Sequence, residues 1–160
     1  MELKKHLQCG VFSPLYILAG EETYLKEYYL MQLKQQLVDE TFREFNLIEL
    51  DSKNLTPQEL NDAIEICPMM AEKKLVIVYD FDLYKAPAAF DSVLNGIFEA
   101  LPPYICLVFY YDILEFKPDK RTKVYSTIEK IACIVEFSHL SDRELIPWIK
   151  RRFKALHCEI

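Results

Sequence analysis

The sequence predicts an α/β domain: a mostly parallel five-stranded sheet with helices on both faces. Five strand candidates, Leu15–Ala19, Asn46–Leu50, Lys74–Tyr79, Tyr104–Tyr110 and Cys133–Phe137, alternate with helical patterns along the 160 residues. Alternation of this kind is the order a parallel sheet with crossover helices requires. Three of the five are near-continuous apolar runs, as strands covered on both faces are.

Taken in order, Leu15–Ala19 is a short apolar run that ends at the turn residue Gly20. Glu21-Glu22-Thr23 then opens a helix, with both glutamates expected in its first turn, where acidic groups complement the helix dipole. Leu25, Tyr29, Leu33 and Leu37 recur at four-residue spacing and define its buried stripe. Thr56-Pro57-Gln58-Glu59 carries a complete helix start, with threonine as N-cap, proline at the first position and glutamate reaching back to close a capping box. Leu60, Ala63 and Ile64 supply that helix's apolar face, and Pro68 closes the segment. The unbroken runs Leu75–Val78 and Leu107–Phe109 are expected as buried central strands. Ser141-Asp142-Arg143-Glu144 repeats the capping-box pattern before Leu145, Ile149, Phe153 and Leu156.

Composition bounds the function. Half the residues are hydrophobic (51%) and 13% are aromatic, which places the chain among folded globular proteins. A net charge of −6 argues against a surface that binds nucleic acid all over. The charge is uneven: residues 1–116 hold 9 basic and 19 acidic side chains, residues 117–154 hold 10 and 5. Any polyanion contact is therefore expected in the last third. The five cysteines are scattered, with no C-x-x-C pair and no metal-ligand spacing. No apolar stretch is long enough to span a bilayer and no signal core follows the N-terminus, so a reducing cytoplasm is the expected setting.

Strand, turn glycine and helix start form the unit that cradles phosphate when it ends in Gly-Lys-Ser/Thr. Here Glu21 and Glu22 stand in that place, and their charge opposes an anionic ligand. Asp80 and Asp82 follow the Leu75–Val78 run, where a nucleotide hydrolase holds magnesium. Without a lysine and hydroxyl to bind phosphate, they are read as solvated turn residues. The histidines His6, His139 and His157 form no motif. No catalytic residue, metal site or cofactor is expected. Met69 and Met70 follow Pro68 on the loop before Lys74. Methionines beside a strand fill core gaps, or they project from the loop as an apolar binding element. Two basic clusters, Lys117, Lys120, Arg121, Lys123 and Lys150, Arg151, Arg152, Lys154, read as solvated faces or as contacts to phosphate backbone.

Four stretches together resemble the N-terminal part of the DNA polymerase III delta subunit, the clamp-opening component of the bacterial clamp loader. They are Pro14–Leu25, Pro68–Val78, Asp119–Lys123 and Val135–Ile149, in the family's order and covering residues 14 to 154. The resemblance implies a P-loop-like α/β domain of the AAA+ type, residues 1–140, that has lost nucleotide binding. It implies that residues 141–160 begin a helical lid, so the chain is expected to be a fragment or a truncated protein. It implies no intrinsic catalysis, although the family belongs to the DNA polymerase III holoenzyme. The implied partners are the sliding clamp (beta subunit), other clamp-loader subunits through regions beyond this chain, and DNA in the full assembly; no membrane is involved.

In the family, a hydrophobic pair before the central strand enters a pocket on the sliding clamp and helps open its ring. That pair falls on Met69 and Met70, with Pro68 preceding them, and replaces the leucine–phenylalanine pair of the best-known member. Lys120, Arg121, Lys123, Arg151 and Arg152 are the candidate DNA or partner contacts. Two other functions stay open: an active P-loop or AAA+ NTPase using Asp80 and Asp82 for magnesium, and an unrelated doubly wound domain with a ligand at the carboxyl ends of its strands.

Overall fold

The computed structural model describes residues 2–139 and 142–155. Strands β1 (Leu15–Ala19), β2 (Leu47–Asp51), β3 (Lys74–Tyr79), β4 (Ile105–Tyr110) and β5 (Ala132–Glu136) form one sheet in the order β2-β3-β4-β1-β5. Every neighbouring pair is parallel. The three near-continuous apolar runs are the three interior strands: β1 and β4 are buried at every position and β3 at all but Tyr79. The edge strands β2 and β5 are only partly buried, in keeping with their more polar sequences.

The two-residue side-chain period of each strand divides the core into two layers. Leu15, Ile17, Val76, Val78, Leu107 and Phe109 face α4 (Pro57–Glu65), α5 (Asp91–Glu99) and α6 (Lys123–Ile131). Tyr16, Leu18, Leu75, Ile77 and Val108 face α1 (Glu2–Cys9) and α2 (Thr23–Leu37). Leu25, Leu33 and Leu37 of the expected stripe are buried, joined by Leu30 and Lys26. Tyr29, the remaining stripe residue, lies half-buried with its ring 5.6 Å from that of Phe137. The start of α4 holds both reciprocal bonds of its capping box: Glu59 N donates to Thr56 Oγ1 at 3.2 Å and Thr56 N to Glu59 Oε2 at 2.8 Å.

Three expectations need correction. Glu21 and Glu22 are not inside the first turn of α2; the helix begins at Thr23, with Glu22 as an N-cap that makes no side-chain cap bond. The cause is the neighbouring strand end. Glu22 N donates to Phe137 O and Phe137 N to Ala19 O, while Thr23 N turns back to Glu21 O, so residues 20–22 form a bend held against Phe137 before the helix begins. Gly20 is glycine for the same reason: at φ +113 an added Cβ would lie 2.3 Å from Phe137 O. Second, Asn46 does not begin β2 but ends the short helix α3 (Arg43–Asn46), because its side chain is committed elsewhere. Third, strand bounds shift by one residue: Tyr104 lies before β4, which begins at Ile105, and Phe137 lies past the end of β5. Helix α1, whose Leu3 is fully buried, carried no sequence signal of its own.

Helix α7 (Asp142–Ala155) packs beside α2. The Trp148 ring meets Tyr24 edge-on at 5.4 Å and the Arg152 guanidinium stands 5.0 Å over Tyr28. Leu145, Ile146 and Phe153 remain exposed, as expected of a helix with incomplete packing. The proposed Ser141–Glu144 capping box, Leu156, and the residues His157 and Cys158 lie outside the described residues or side chains. No helix among the described residues is long and apolar enough to cross a membrane.

Candidate functional site

At the carboxyl end of the sheet, a crevice of about 240 Å³ opens beside β1 and β4, the position where open α/β sheets bind ligands. Glu21, Asp112, Glu115 and Glu136 line it and no basic side chain does. Lys26, in the first turns of α2, does not line the crevice but is turned inward. Its Nζ donates to the carbonyls of Tyr111 at 2.6 Å and Gly20 at 3.0 Å, and lies 4.0 Å from Asp112. Lys26 is 1% exposed.

Asp80 is equally committed. Its Oδ1 accepts the backbone N–H groups of Asp112, Ile113 and Leu114 at 2.8, 2.9 and 2.9 Å. Three consecutive amides form an anion-binding concavity, and the chain's own carboxylate occupies it. Asp82 caps the following turn through Tyr84 N and Lys85 N. Asp80 is thus more than a solvated turn residue, whereas Asp82 is the partly exposed turn residue that the sequence predicts. Among the described residues no cluster of metal-ligating side chains occurs. His139 lies against Glu21 and Glu22 at 3.4 and 3.2 Å, a grouping across more than a hundred residues that no motif announced.

The amino end of the sheet is different. Residues 66–73 connect α4 to β3, and here Met70 is 80% and Met69 47% exposed, with Pro68 half-buried before them. Met70 has a positive φ of 49°, a conformation that residues other than glycine seldom adopt. The loop is nevertheless tied down on all sides. Asn46, fully buried, donates from Nδ2 to Met69 O at 2.8 Å and accepts Met69 N at Oδ1 at 2.7 Å. Lys74 Nζ reaches Ile66 O at 3.2 Å, Tyr104 Oη donates to Glu65 O at 2.8 Å and Lys73 Nζ to Pro103 O at 2.6 Å. Lys74 is 2% exposed, and burial holds its amine below the ordinary lysine value.

Sequence reasoning identified the methionines but missed Asn46 and Lys26. Both are polar residues inside apolar patterns, and that is the signal that could have found them. It also missed Phe45 and Ile66, which add exposed apolar surface on the segments flanking the Asn46–Met69 contact.

The basic candidates are not brought together. Lys120, Arg121 and Lys123 are exposed at the start of α6, on one layer; Arg151 and Arg152 sit on α7, on the other. Arg121 is further engaged by Asp119, through Nε at 3.1 Å and Nη2 at 3.3 Å. The Arg121 guanidinium holds the Asp119 carboxyl below its usual range.

Comparison with known proteins bears on the family and the fold. A family model described as DNA polymerase III, delta subunit, matches residues 16–138. The DNA polymerase III subunit delta of Bacillus subtilis is 31% identical over 146 residues, which cover 88% of this chain and 42% of that protein. The solved Bacillus subtilis DNA clamp loader delta protein superposes with a TM-score of 0.77 at 26% identity, over 96% of this chain and 47% of its own. A DNA polymerase III gamma subunit-related protein from Thermotoga maritima shares the fold, with a TM-score of 0.60 at 15% identity over 98% of this chain and 53% of its own. The chain thus spans less than half the length of either Bacillus protein. Its match over residues 16–138, together with the shared sheet, places it in a family: this chain belongs to the DNA polymerase III delta subunits.

Proposed function

We propose that this chain is the clamp-gripping part of a bacterial clamp loader, acting in the cytoplasm without catalysis or nucleotide. Met69 and Met70 are its grip on the sliding clamp. The observation that carries this reading is Met70: an 80% exposed thioether side chain held at positive φ on a loop otherwise fixed to the core. Exposed apolar groups on an ordered loop are characteristic of a binding element. Residues 142–155 are read as the first helix of the lid that follows the α/β domain. Lys120, Lys123 and Arg151 are read as contacts to DNA or neighbouring subunits in the assembled loader. Mechanically, such a module can favour an open ring only by the difference between its affinities for the sprung and closed clamp.

Burying an apolar side chain of this size contributes on the order of 1.5–3 kcal/mol. The Met69→Ala, Met70→Ala double variant should therefore bind the clamp at least roughly a hundredfold more weakly, each 1.4 kcal/mol being tenfold, with its melting temperature unchanged. Loss of thermal stability with clamp binding intact would show the pair to be core. Calorimetric titration with Mg-ATP should give no saturable heat; micromolar binding would favour the NTPase reading instead.

A further inference from the structure

We infer that Asn46 is a positioning residue for the Met69–Met70 loop: buried behind the loop, it sets clamp affinity through the backbone of Met69. The inference rests on the clamp-binding reading above.

Asn46 is fully buried, yet both functional atoms of its amide are used, and both on the same residue. One side chain thus supplies Met69 with a donor and an acceptor, as a neighbouring strand would. Asn46 directly precedes Leu47, the first residue of β2, which pairs with Leu75 of β3. The clip thus reaches from the residue just before β2 to the loop ahead of β3. Chemistry restricts what can do this. An aspartate carboxylate has no donor for Met69 O, and a serine hydroxyl is too short to offer both groups across the same span.

The next residue shows what the clip is for. Met70 sits at φ 49°, a conformation that persists in a non-glycine residue only where surrounding contacts hold it. Its own side chain is mostly in solvent and contributes little restraint. The restraint comes from the fixed peptide of Met69 on one side and β3 on the other. Without Asn46, Met70 is free to return to negative φ, and the two thioethers spread over many directions. Only the fraction in the binding geometry then engages the clamp, and apparent affinity falls in proportion. A competent fraction of about one tenth gives about tenfold weaker binding.

The test is a double-mutant cycle with an exchange measurement beside it. Wild type, Asn46→Ala, the Met69→Ala, Met70→Ala variant and the triple variant are titrated with the source bacterium's sliding clamp, and amide hydrogen exchange is followed at Met69. We expect the Met69 amide to be protected in wild type and open in Asn46→Ala. We expect Asn46→Ala to weaken binding about tenfold alone and not at all in the double-methionine background, since the effect travels through those side chains. Equal weakening in both backgrounds, unchanged affinity in the single variant, or an open Met69 amide in wild type would overturn the inference. So would failure of both Asn46→Ala and the milder Asn46→Ser to fold, which would make the side chain core structure. If the double-methionine variant keeps wild-type affinity, the clamp-binding reading falls and this inference with it. If that variant loses affinity while Asn46→Ala keeps it, only this inference falls.

Discussion

At the carboxyl end of the sheet Lys26 and Asp80 spend their hydrogen bonds on backbone groups that line or flank a crevice, whereas at the amino end Asn46 bonds the backbone of Met69 and Lys74 that of Ile66, on the loop that exposes Met69 and Met70. Both ends are equally well ordered by buried polar side chains. They differ in what is left over: a crevice lined by four carboxylates at one, an apolar prominence at the other. At the sheet end where open α/β folds bind ligands, the polar groups of Lys26 and Asp80 are taken up by this chain's own backbone. Order alone therefore does not mark a functional end; the chemistry presented to solvent does.

The comparison breaks most violently at Gly20. Gly20→Ala places a methyl group 2.3 Å from Phe137 O at φ +113, and a loss of about 4 kcal/mol or more in unfolding free energy is expected, since close backbone contact and strain add. Urea unfolding measures it; a loss under about 1 kcal/mol would mean that residues 20–22 and 137 part easily. Lys26→Met comes next. It leaves the Gly20 and Tyr111 carbonyls without their buried donor, and about 2–4 kcal/mol of stability should go, given the cost of unsatisfied polar groups. Clamp affinity and the absence of ATP heat should both stay as they are. Should Lys26→Met weaken clamp binding of the folded protein, the two ends would be coupled and the contrast drawn above would be too sharp.

Asp80→Asn is milder. Asparagine tolerates the positive φ of 52° at this position and keeps an acceptor for the three amides, so only the charge is lost, at a cost of about 1–2 kcal/mol for hydrogen bonds to a charged group. Faster amide exchange confined to residues 112–114 is the expected signature. Met70→Gly has the smallest effect on stability. Relief at positive φ and the greater freedom of glycine when unfolded oppose one another, and the net change should stay within about 1 kcal/mol. Clamp affinity should nonetheless drop, which separates grip from fold at one position; a melting temperature that collapses instead would place the Met70 side chain in the core.

The sequence made the architecture readable wherever hydrophobic periodicity decides structure. Leu15–Ala19 and Lys74–Tyr79 appear as strands with the bounds expected of them, because a strand buried on both faces must be apolar throughout and little else has that pattern. Thr56–Glu59 was legible because its capping box is local. What was not legible depends on contacts between distant residues. Asn46 looked like the first residue of a strand until its partner 23 residues away was known. Glu21 and Glu22 read as helical from sequence because the bonds with Phe137 that hold the bend at residues 20–22 come from more than a hundred residues downstream. Lys26 lay on the apolar face of α2, and only the fold reveals that its amine reaches back to two strand ends. The methionine pair was visible as residues on a loop; its exposure and its backbone conformation were not.

Strand β3 joins the two ends directly. Its six residues span roughly 20 Å at the usual rise per residue, with the loop that carries Met69 and Met70 leading into the first and Asp80 just after the last. It is paired along its length with β2 on one side and β4 on the other. A pull that reaches Lys74 along the chain would run down the axis of this strand, and the bonds of both ladders would meet it broadside, sharing the load in shear rather than opening one after another like a zipper. Asp80, bonded to the 112–114 segment beyond β4, anchors the far end of the rod. In mechanical terms β3 is a braced shaft between that loop and the body of the sheet.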